Sequence, residues 1–338
     1  MIRRTLYPLM AALLLGLAGV TPAADRVVER NLISAGGAVN AEVGTLTLSG
    51  SLGQWQATGP ATLGGSDMVV TGGFWAQSRR MNEWPALTGG WFDPATEGQG
   101  FNLQVMDDGL LGYFYGYDQG ERMWLASSVY LGEFAWDEPI EVSVQAGAHG
   151  VFGDPVAPPD GIEPWGTLEL TFHSCNSASA LLAGDAGLES FALTRLAGVD
   201  GLGEDCTQPP EPSDSADISG AWFDPATDGQ GWNLIATPFG LLAYFYGYTA
   251  DGEPLWLVSA NLPEVSAANE PVMLELLSAR GGSLGSPVHP DDLDAWGEAV
   301  ITFDDCEQAS VELAGEDGSQ TQSLVKLFGI DRPEGCRL

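Results

Sequence analysis

The feature that most constrains this chain is a stretch of 27 residues that occurs twice. Residues 91–117 and 222–248 align without a gap, and 19 of the 27 positions are identical. Both copies open with Trp-Phe-Asp-Pro-Ala-Thr and close with Tyr-Phe-Tyr-Gly-Tyr. A match of this length at a separation of 131 residues indicates an internal duplication, so the chain is expected to contain two copies of one folding unit.

The first residues have the pattern of an export signal. Arg3 and Arg4 precede an apolar run over residues 9–20, and Ala23 and Ala24 offer small residues for cleavage. We therefore predict a signal peptide at 1–24 and a mature protein that is secreted or periplasmic. The apolar run is shorter than the about 20 helical residues that span a bilayer, so no membrane insertion is expected.

The charge of the chain is strongly negative. The formal net charge is −34, and loss of Arg3 and Arg4 with the signal makes it more negative. Such a field repels polyanions, so no nucleic-acid partner is expected. Two interpretations of the acidity stay open, namely a solubility device and a surface that gathers cations.

The cysteines follow the repeat. Cys175 and Cys306 are 131 residues apart, and Cys206 and Cys336 stand at nearly the same offset. An even number of cysteines in an exported protein indicates disulfides, and repeat symmetry selects Cys175–Cys206 and Cys306–Cys336. The alternative is a metal site, but the cysteines lack close pairing and matched histidines. No metal and no cofactor is therefore predicted.

The duplication also divides the chain into parts. We predict a small β module at 26–80, repeat one at 87–206, a Pro-rich linker at 207–216 and repeat two at 217–336. Each repeat shows about eight short strand candidates, separated by Gly, Pro and Asp-Gly turns, and no convincing helix. In repeat two the last candidate runs from Ser323 to Phe328. Sequential strands of this number favour an antiparallel up-and-down barrel or curled meander, because closure removes exposed edges. The predicted fold class is all-β, with two tandem barrel-like repeats.

The tyrosine-rich strand of each copy is the best candidate for a binding face. Strand alternation places the three tyrosines of each run on one side, and Phe101, Leu103 and Val105 form the core side of the preceding strand. The candidate ligand-binding residues, present in both copies, are Asn102, Tyr115, Trp124, Asn233, Tyr246 and Trp256. Rings and amides of this kind could hold a glycan or another small polar ligand. The alternative is that the same side chains fill the core of the repeat.

The turn that begins each copy allows two interpretations. Asp93–Gly100 and Asp224–Gly231 have the Asp-Pro and Gly pattern of a structural turn. They could instead bind a cation through Asp93 with Glu97, or through Asp224 with Asp228. The pattern lacks the dense oxygen ligands of a calcium loop.

Signs of catalysis are missing from the sequence. His149, His173 and His289 have no histidine at the equivalent position of the other repeat, and we interpret each as a surface or loop residue. There is no serine nucleophile elbow and no zinc-binding histidine pair. The many carboxylates do not single out a glycosidase pair. No catalytic residue is predicted.

Two resemblances accompany these motifs. The opening Gly-x-Trp-Phe-Asp-Pro with Gly-Gln-Gly and Asn-Leu, and the later Trp-Gly, Thr-Phe and Cys, resemble repeats of exported, mainly proteobacterial, proteins of uncharacterised function. The Gly-x-Trp start is also similar to the first strand of lipocalin and avidin-type barrels, which concerns the fold alone. Neither resemblance supplies a substrate or functional residues.

Three classes of function are considered, and two disulfide-closed repeats joined by a Pro-rich linker argue against one of them, an outer-membrane barrel with a continuous pore. The first is a non-catalytic exported binding or surface-interaction protein, in which duplicated weak sites gain effective concentration. The alternative is a carbohydrate-active hydrolase that uses paired carboxylates.

Overall fold

The computed structural model describes the chain in two units, Met1–Arg79 and Arg80–Leu338. In the second unit the described residues are 85–106, 109–132, 135–147, 150–153, 162–202, 213–227, 229–329 and 338. The predicted signal peptide at 1–24 lies outside the described residues.

The first unit is described as four strands within the predicted module at 26–80. They are β1 (Gly36–Val43), β2 (Leu46–Leu52), β3 (Ala61–Thr62) and β4 (Val69–Val70). β1 pairs with β2 and β3 pairs with β4, both antiparallel.

The second unit contains two closed antiparallel barrels of eight strands each. Barrel 1 consists of β5 (Gly89–Phe92), β6 (Gly100–Met106), β7 (Gly109–Asp118), β8 (Glu121–Ser127), β9 (Ile140–Gly147), β10 (Ile162–Ser174), β11 (Ser177–Gly184) and β12 (Gly187–Gly198). Barrel 2 consists of β13 (Gly220–Phe223), β14 (Gly231–Thr237), β15 (Gly240–Tyr248), β16 (Pro254–Ser259), β17 (Pro271–Ser278), β18 (Asp294–Phe303), β19 (Gln308–Gly315) and β20 (Gly318–Gly329). Each strand pairs with its neighbours in sequence, and the last pairs with the first. The prediction of two tandem all-β barrels is confirmed.

Alternating side chains build the interior of each barrel. Along β9, for example, Ile140, Val142 and Val144 are buried while Glu141 and Ser143 are exposed. The interior of barrel 1 includes the predicted core residues Phe101, Leu103 and Val105. Equivalent ring pairs recur in the two barrels, since Trp91–Phe172 and Trp222–Phe303 have the same centroid distance of 5.7 Å.

The Gly-x-Trp opening has the same role in both barrels. Trp222 Nε1 donates to the carbonyl of Ile218 at 2.9 Å, and Trp91 Nε1 donates to Leu87 at 3.0 Å. Gly220 has φ +156°, and a Cβ there would lie 2.1 Å from the carbonyl oxygen of Phe328. The close approach of β13 to β20 therefore requires glycine at this position.

Residues between the barrels are described in part. Asp214–Ile218 forms a 3-10 turn in which Ala216 is buried, so the end of the predicted linker at 207–216 is ordered structure. Within the described residues, no helix has the length and apolar character needed to cross a membrane. Cys175 and Cys306 are each disulfide-bonded. Their predicted partners, Cys206 and Cys336, lie outside the described residues, so the pairing stays a prediction.

One strand boundary differs clearly from the sequence prediction. β20 begins at Gly318 rather than Ser323, because β19 and β20 pair down to Gly315 and Gly318 at a two-residue turn. Residues 319–322 are Ser-Gln-Thr-Gln, so no apolar alternation marks this half of the strand.

Candidate functional site

The six residues predicted to bind a ligand lie between the two barrels. They project from the outer faces of β6–β8 and β14–β16, and these faces pack on each other. The exposed fraction is 0% for Asn102 and Asn233, 6% for Trp124, 3% for Tyr246 and 1% for Trp256, while Tyr115 is half-buried. The accessible pocket or platform expected in each repeat is therefore not found at these residues, because each face is covered by the other. The alternative that they fill the core of their own repeat is also wrong, since they point out of the barrels.

The two tryptophans form reciprocal hydrogen bonds across this interface. Trp124 Nε1 donates to the carbonyl of Gly247, and Trp256 Nε1 donates to the carbonyl of Gly116, both at 2.9 Å. The bonded residues are equivalent in the two repeats. Contacts that repeat with the partners exchanged are the mark of a two-fold interface, as in homodimers.

All six tyrosines of the two runs belong to the same interface. Tyr113 stacks on Tyr246 with centroids 5.2 Å apart, and Tyr115 packs on Tyr244 at 5.3 Å. Tyr117 contacts Trp256 at 5.6 Å in the same way that Tyr248 contacts Trp124 at 6.0 Å. Burial raises the pKa of Tyr115 and of Tyr248 to about 12. The duplicated aromatic runs therefore join the two repeats into one compact unit.

Glycines allow two of these rings to approach the opposite barrel. A Cβ at Gly150 would lie 1.9 Å from the ring of Tyr248, and a Cβ at Gly282 would lie 2.6 Å from the ring of Tyr117. Gly282 also accepts a hydrogen bond from the backbone N–H of Gly120 at 2.8 Å. The interface is thus closed at its edges by backbone contacts.

The two-fold symmetry is broken at the asparagines. Asn102 Nδ2 donates to the hydroxyl of Tyr246 at 2.5 Å. The equivalent Asn233 is completely buried, and its side-chain amide has no hydrogen-bond partner among the described residues. The hydroxyls of Tyr115 and Tyr244 are hydrogen-bonded to each other instead. Only one of the two equivalent amide–phenol bonds is therefore formed in the described part of the chain.

A loop of each barrel also contributes an apolar side chain to the other. Phe152, which follows β9, belongs to the core of barrel 2 and packs on Trp296 with centroids 5.6 Å apart. Leu284, which follows the equivalent strand β17, packs on the core of barrel 1. Each barrel is therefore covered in part by a residue that the other repeat supplies.

Asp93 and Asp224 have a structural role in the Asp-Pro turns, while Asp228, the second ligand considered in repeat two, lies outside the described residues. Asp93 accepts hydrogen bonds from the backbone N–H of Ala95 at 2.8 Å and of Ala192 at 2.7 Å. Asp224 likewise accepts from Ala226 at 2.8 Å and from Ser323 at 2.9 Å. Both oxygens of each carboxylate hold the turn and fix it to the last strand of its barrel. Glu97, the second ligand considered for a cation, lies 3.3 Å from His289 Nε2. No group of three or more His, Cys, Asp or Glu in the described part of the chain is arranged to hold a metal ion.

His173 takes part in a hydrogen-bonded group that the sequence did not indicate. Its Nδ1 lies 2.6 Å from Asp137 Oδ1, and its Nε2 lies 3.1 Å from Ser179 Oγ. This is the order of groups in a serine-hydrolase triad. The group is on the outer surface, and Ser179 is in β11, which pairs with β10 and β12 at this position. The N–H groups around Ser179 bond within the sheet, so they cannot form an oxyanion hole. His173 is exposed, as predicted.

Buried amides collect inside one end of barrel 2. We call the residues Gln230, Trp232, Gln320 and Gln322 the mouth cluster, because they lie at the end that carries the β13–β14 and β19–β20 turns. Trp232 Nε1 donates to Gln322 Oε1 at 2.8 Å, and Gln320 Nε2 donates to Gln230 Oε1 at 3.4 Å. The other amide atoms of the three glutamines are buried without a hydrogen-bond partner among the described residues.

A weak signal for this cluster is present in the sequence. Gln230 and Gln322 have the inward register of Trp232 and Leu324, which are core residues. A polar residue at an inward position of a strand departs from the usual pattern, and such departures are typical of functional sites. The signal is obscured because Gln320 and Gln322 precede Ser323, where the predicted strand begins.

Comparisons with family models, with curated proteins and with solved structures find no match to this chain.

Proposed function

We propose that this chain is an exported, non-catalytic binding or surface-interaction protein whose ligand is a glycan or another small polar molecule. The observation that carries the proposal is the mouth cluster, where three amide side chains meet inside a closed barrel. Buried polar groups in proteins are almost always hydrogen-bonded, so amide atoms without a protein partner are suited to contact another molecule.

The chemistry of the mouth cluster supports binding rather than catalysis. An amide neither transfers a proton near neutral pH nor acts as a nucleophile, whereas it offers both donors and acceptors in fixed directions. The one described group with the order of a catalytic triad, at His173, lacks donors for an oxyanion. Paired carboxylates, which the alternative hydrolase would need, are not part of the mouth cluster.

Two observations support export. The apolar run after Arg3 and Arg4 has the length of a signal peptide. Cys175 and Cys306 are disulfide-bonded, and disulfides persist mainly in oxidising compartments. The proposed location is the periplasm or the exterior.

The proposal is tested on the whole mature chain, produced in an oxidising compartment. A glycan array and a thermal-shift screen of neutral polar compounds should yield ligands that raise the unfolding temperature. In parallel, aryl esters and aryl glycosides are offered as substrates, with Ser179→Ala as the matched control for the His173 group. Turnover above background by the wild-type chain would refute the non-catalytic assignment, and loss of that turnover in Ser179→Ala would locate it. Failure of the whole library to bind would refute the binding function.

A further inference from the structure

We infer that the mouth of barrel 2, and not the equivalent end of barrel 1, is the ligand site, and that it takes a neutral group with hydrogen-bonding hydroxyls or an acetamide. This inference rests on the proposed function and names the ligand chemistry of its site.

The orientation of the amides follows from the hydrogen bonds that they make. Gln322 Oε1 accepts from the Trp232 indole, and Gln230 Oε1 accepts from Gln320. The oxygens of Gln230 and Gln322 are therefore engaged, and their Nε2 groups have no partner among the described residues. The Oε1 of Gln320 also has no hydrogen-bond partner among the described residues. The site thus offers two NH₂ donors and one carbonyl acceptor, a set that suits a ligand with several acceptors and at least one donor.

The surroundings of these amides favour a neutral ligand with apolar faces. Gln322 is 1% exposed and Gln230 is 5% exposed, so a charge placed beside them would lose its hydration without gaining a counter-charge from the cluster. Trp232 packs on Phe245 with centroids 5.0 Å apart, which places aromatic surface beside the amides. Aromatic surface next to amides matches the combination of C–H faces and hydroxyls found on sugars. Gln320 is only half-buried, so the cluster extends to the rim of the barrel. Phe152 of barrel 1 covers part of the same end, where it packs on Trp296, and a Cβ at Gly153 would lie 3.8 Å from the Cβ of Gln320.

Barrel 1 lacks this chemistry. Phe101 and Phe191 occupy the positions of Trp232 and Gln322, and their rings form an edge-on contact at 5.2 Å. Glu189 stands at the position of Gln320. Of the three glutamines, only the counterpart of Gln230 remains in barrel 1, as the buried Gln99. One site per chain is therefore expected.

The repeat itself supplies the test variant. Trp232→Phe with Gln322→Phe introduces into barrel 2 the pair that packs at the same place in barrel 1. Gln230→Leu removes one donor and provides a second, independent variant. Gln104→Leu is the control, because Gln104 is a buried glutamine whose Nε2 also has no described partner, but it lies on the outward side of β6.

The experiment uses the full chain and calorimetric titration with N-acetylglucosamine, which carries hydroxyls and an acetamide. Glucose tests the hydroxyls alone, and N-methylacetamide tests the acetamide alone. We expect a Kd on the order of 1 mM for N-acetylglucosamine, with one site per chain. The double variant and Gln230→Leu should weaken it at least tenfold while circular dichroism and the unfolding temperature stay near wild type. Gln104→Leu should bind as wild type does.

Two results would overturn the inference. Equal affinity of the wild type, the double variant and Gln230→Leu would place binding elsewhere and leave the binding function intact. If none of the three probes binds, the ligand class is wrong and the amides contact only water. The glycan array and the compound screen then decide the binding function separately, because they sample other ligands and any other site.

Discussion

Tyr246→Phe should destabilise the two-barrel unit, although it removes a single oxygen atom. The hydroxyl of Tyr246 accepts from Asn102 Nδ2 at 2.5 Å, and Asn102 is completely buried. Asn102 Oδ1 already has no partner among the described residues. Loss of the hydroxyl therefore leaves the whole amide of Asn102 buried without a described hydrogen bond.

The size of the effect follows from the cost of an unsatisfied buried group. Such a group lowers the free energy of unfolding by about 1–3 kcal/mol. In a unit of roughly 250 residues, 1 kcal/mol corresponds to about 2–4 °C in the unfolding temperature, so a decrease of roughly 2–12 °C is expected.

The matched control is the same substitution at Tyr117. Tyr117 lies in the same interface and is completely buried, but its hydroxyl has no hydrogen-bond partner among the described residues. Tyr117→Phe removes an unsatisfied polar atom, so the stability should stay the same or rise. Chemical and thermal unfolding of both variants, followed by tryptophan fluorescence, gives the comparison. Equal effects of Tyr246→Phe and Tyr117→Phe would refute the reasoning from hydrogen bonds.

Three further predictions concern the same unit. Burial raises the pKa of Tyr115 and of Tyr248 to about 12 from 10.0, so their contribution to stability is complete below pH 10.0 and is lost as the pH rises through about 12. Urea unfolding across this range checks the sign, and a constant stability would contradict it. Phe152→Ala should lower the unfolding temperature more than Leu284→Ala, because Phe152 is in the core of barrel 2 and Leu284 is half-buried. Larger loss with Leu284→Ala would be the opposite of the expected result. Residues 217–338 alone should give β-type circular dichroism and a cooperative melt, and sedimentation should show dimers because the aromatic face is then uncovered. A stable monomer would speak against the reciprocal interface.

The sequence was sufficient for the fold because the fold depends on local signals that occur twice. Alternation and turn residues predict about eight strands in each repeat, and each barrel has eight. The strand prediction was wrong at residues 318–322, where the inward side chains are polar. Alternation of apolar residues cannot mark a strand whose inward positions hold glutamine.

The role of the tyrosine faces could not be predicted from the sequence, for a different reason. Periodicity places Tyr115 and Tyr246 on the face opposite Phe114 and Phe245, and the structure confirms that separation. Periodicity does not say what covers the outer face, since that depends on contacts between residues more than 100 positions apart. The Trp256–Gly116 hydrogen bond, for example, joins residues 140 positions apart. The sequence pattern therefore predicts a candidate binding face on each repeat and does not show that the two faces pack on each other.

The positions at which the two copies agree and differ have a physical explanation in this arrangement. At a two-fold interface each contact occurs twice, with the two copies exchanged. Trp124 of repeat one bonds to Gly247 of repeat two, and Trp256 of repeat two bonds to Gly116 of repeat one. A substitution of an interface residue in one copy then disturbs a contact with the other copy, so the interface residues of both copies are constrained. Trp232 and Gln322 are hydrogen-bonded to each other inside barrel 2, as Phe101 and Phe191 pack on each other inside barrel 1, so this pair can differ between the copies without a change at the shared interface. Two barrels that share one interface can therefore diverge in their interiors, and we expect functional differences between the repeats at the mouth cluster rather than at the tyrosines.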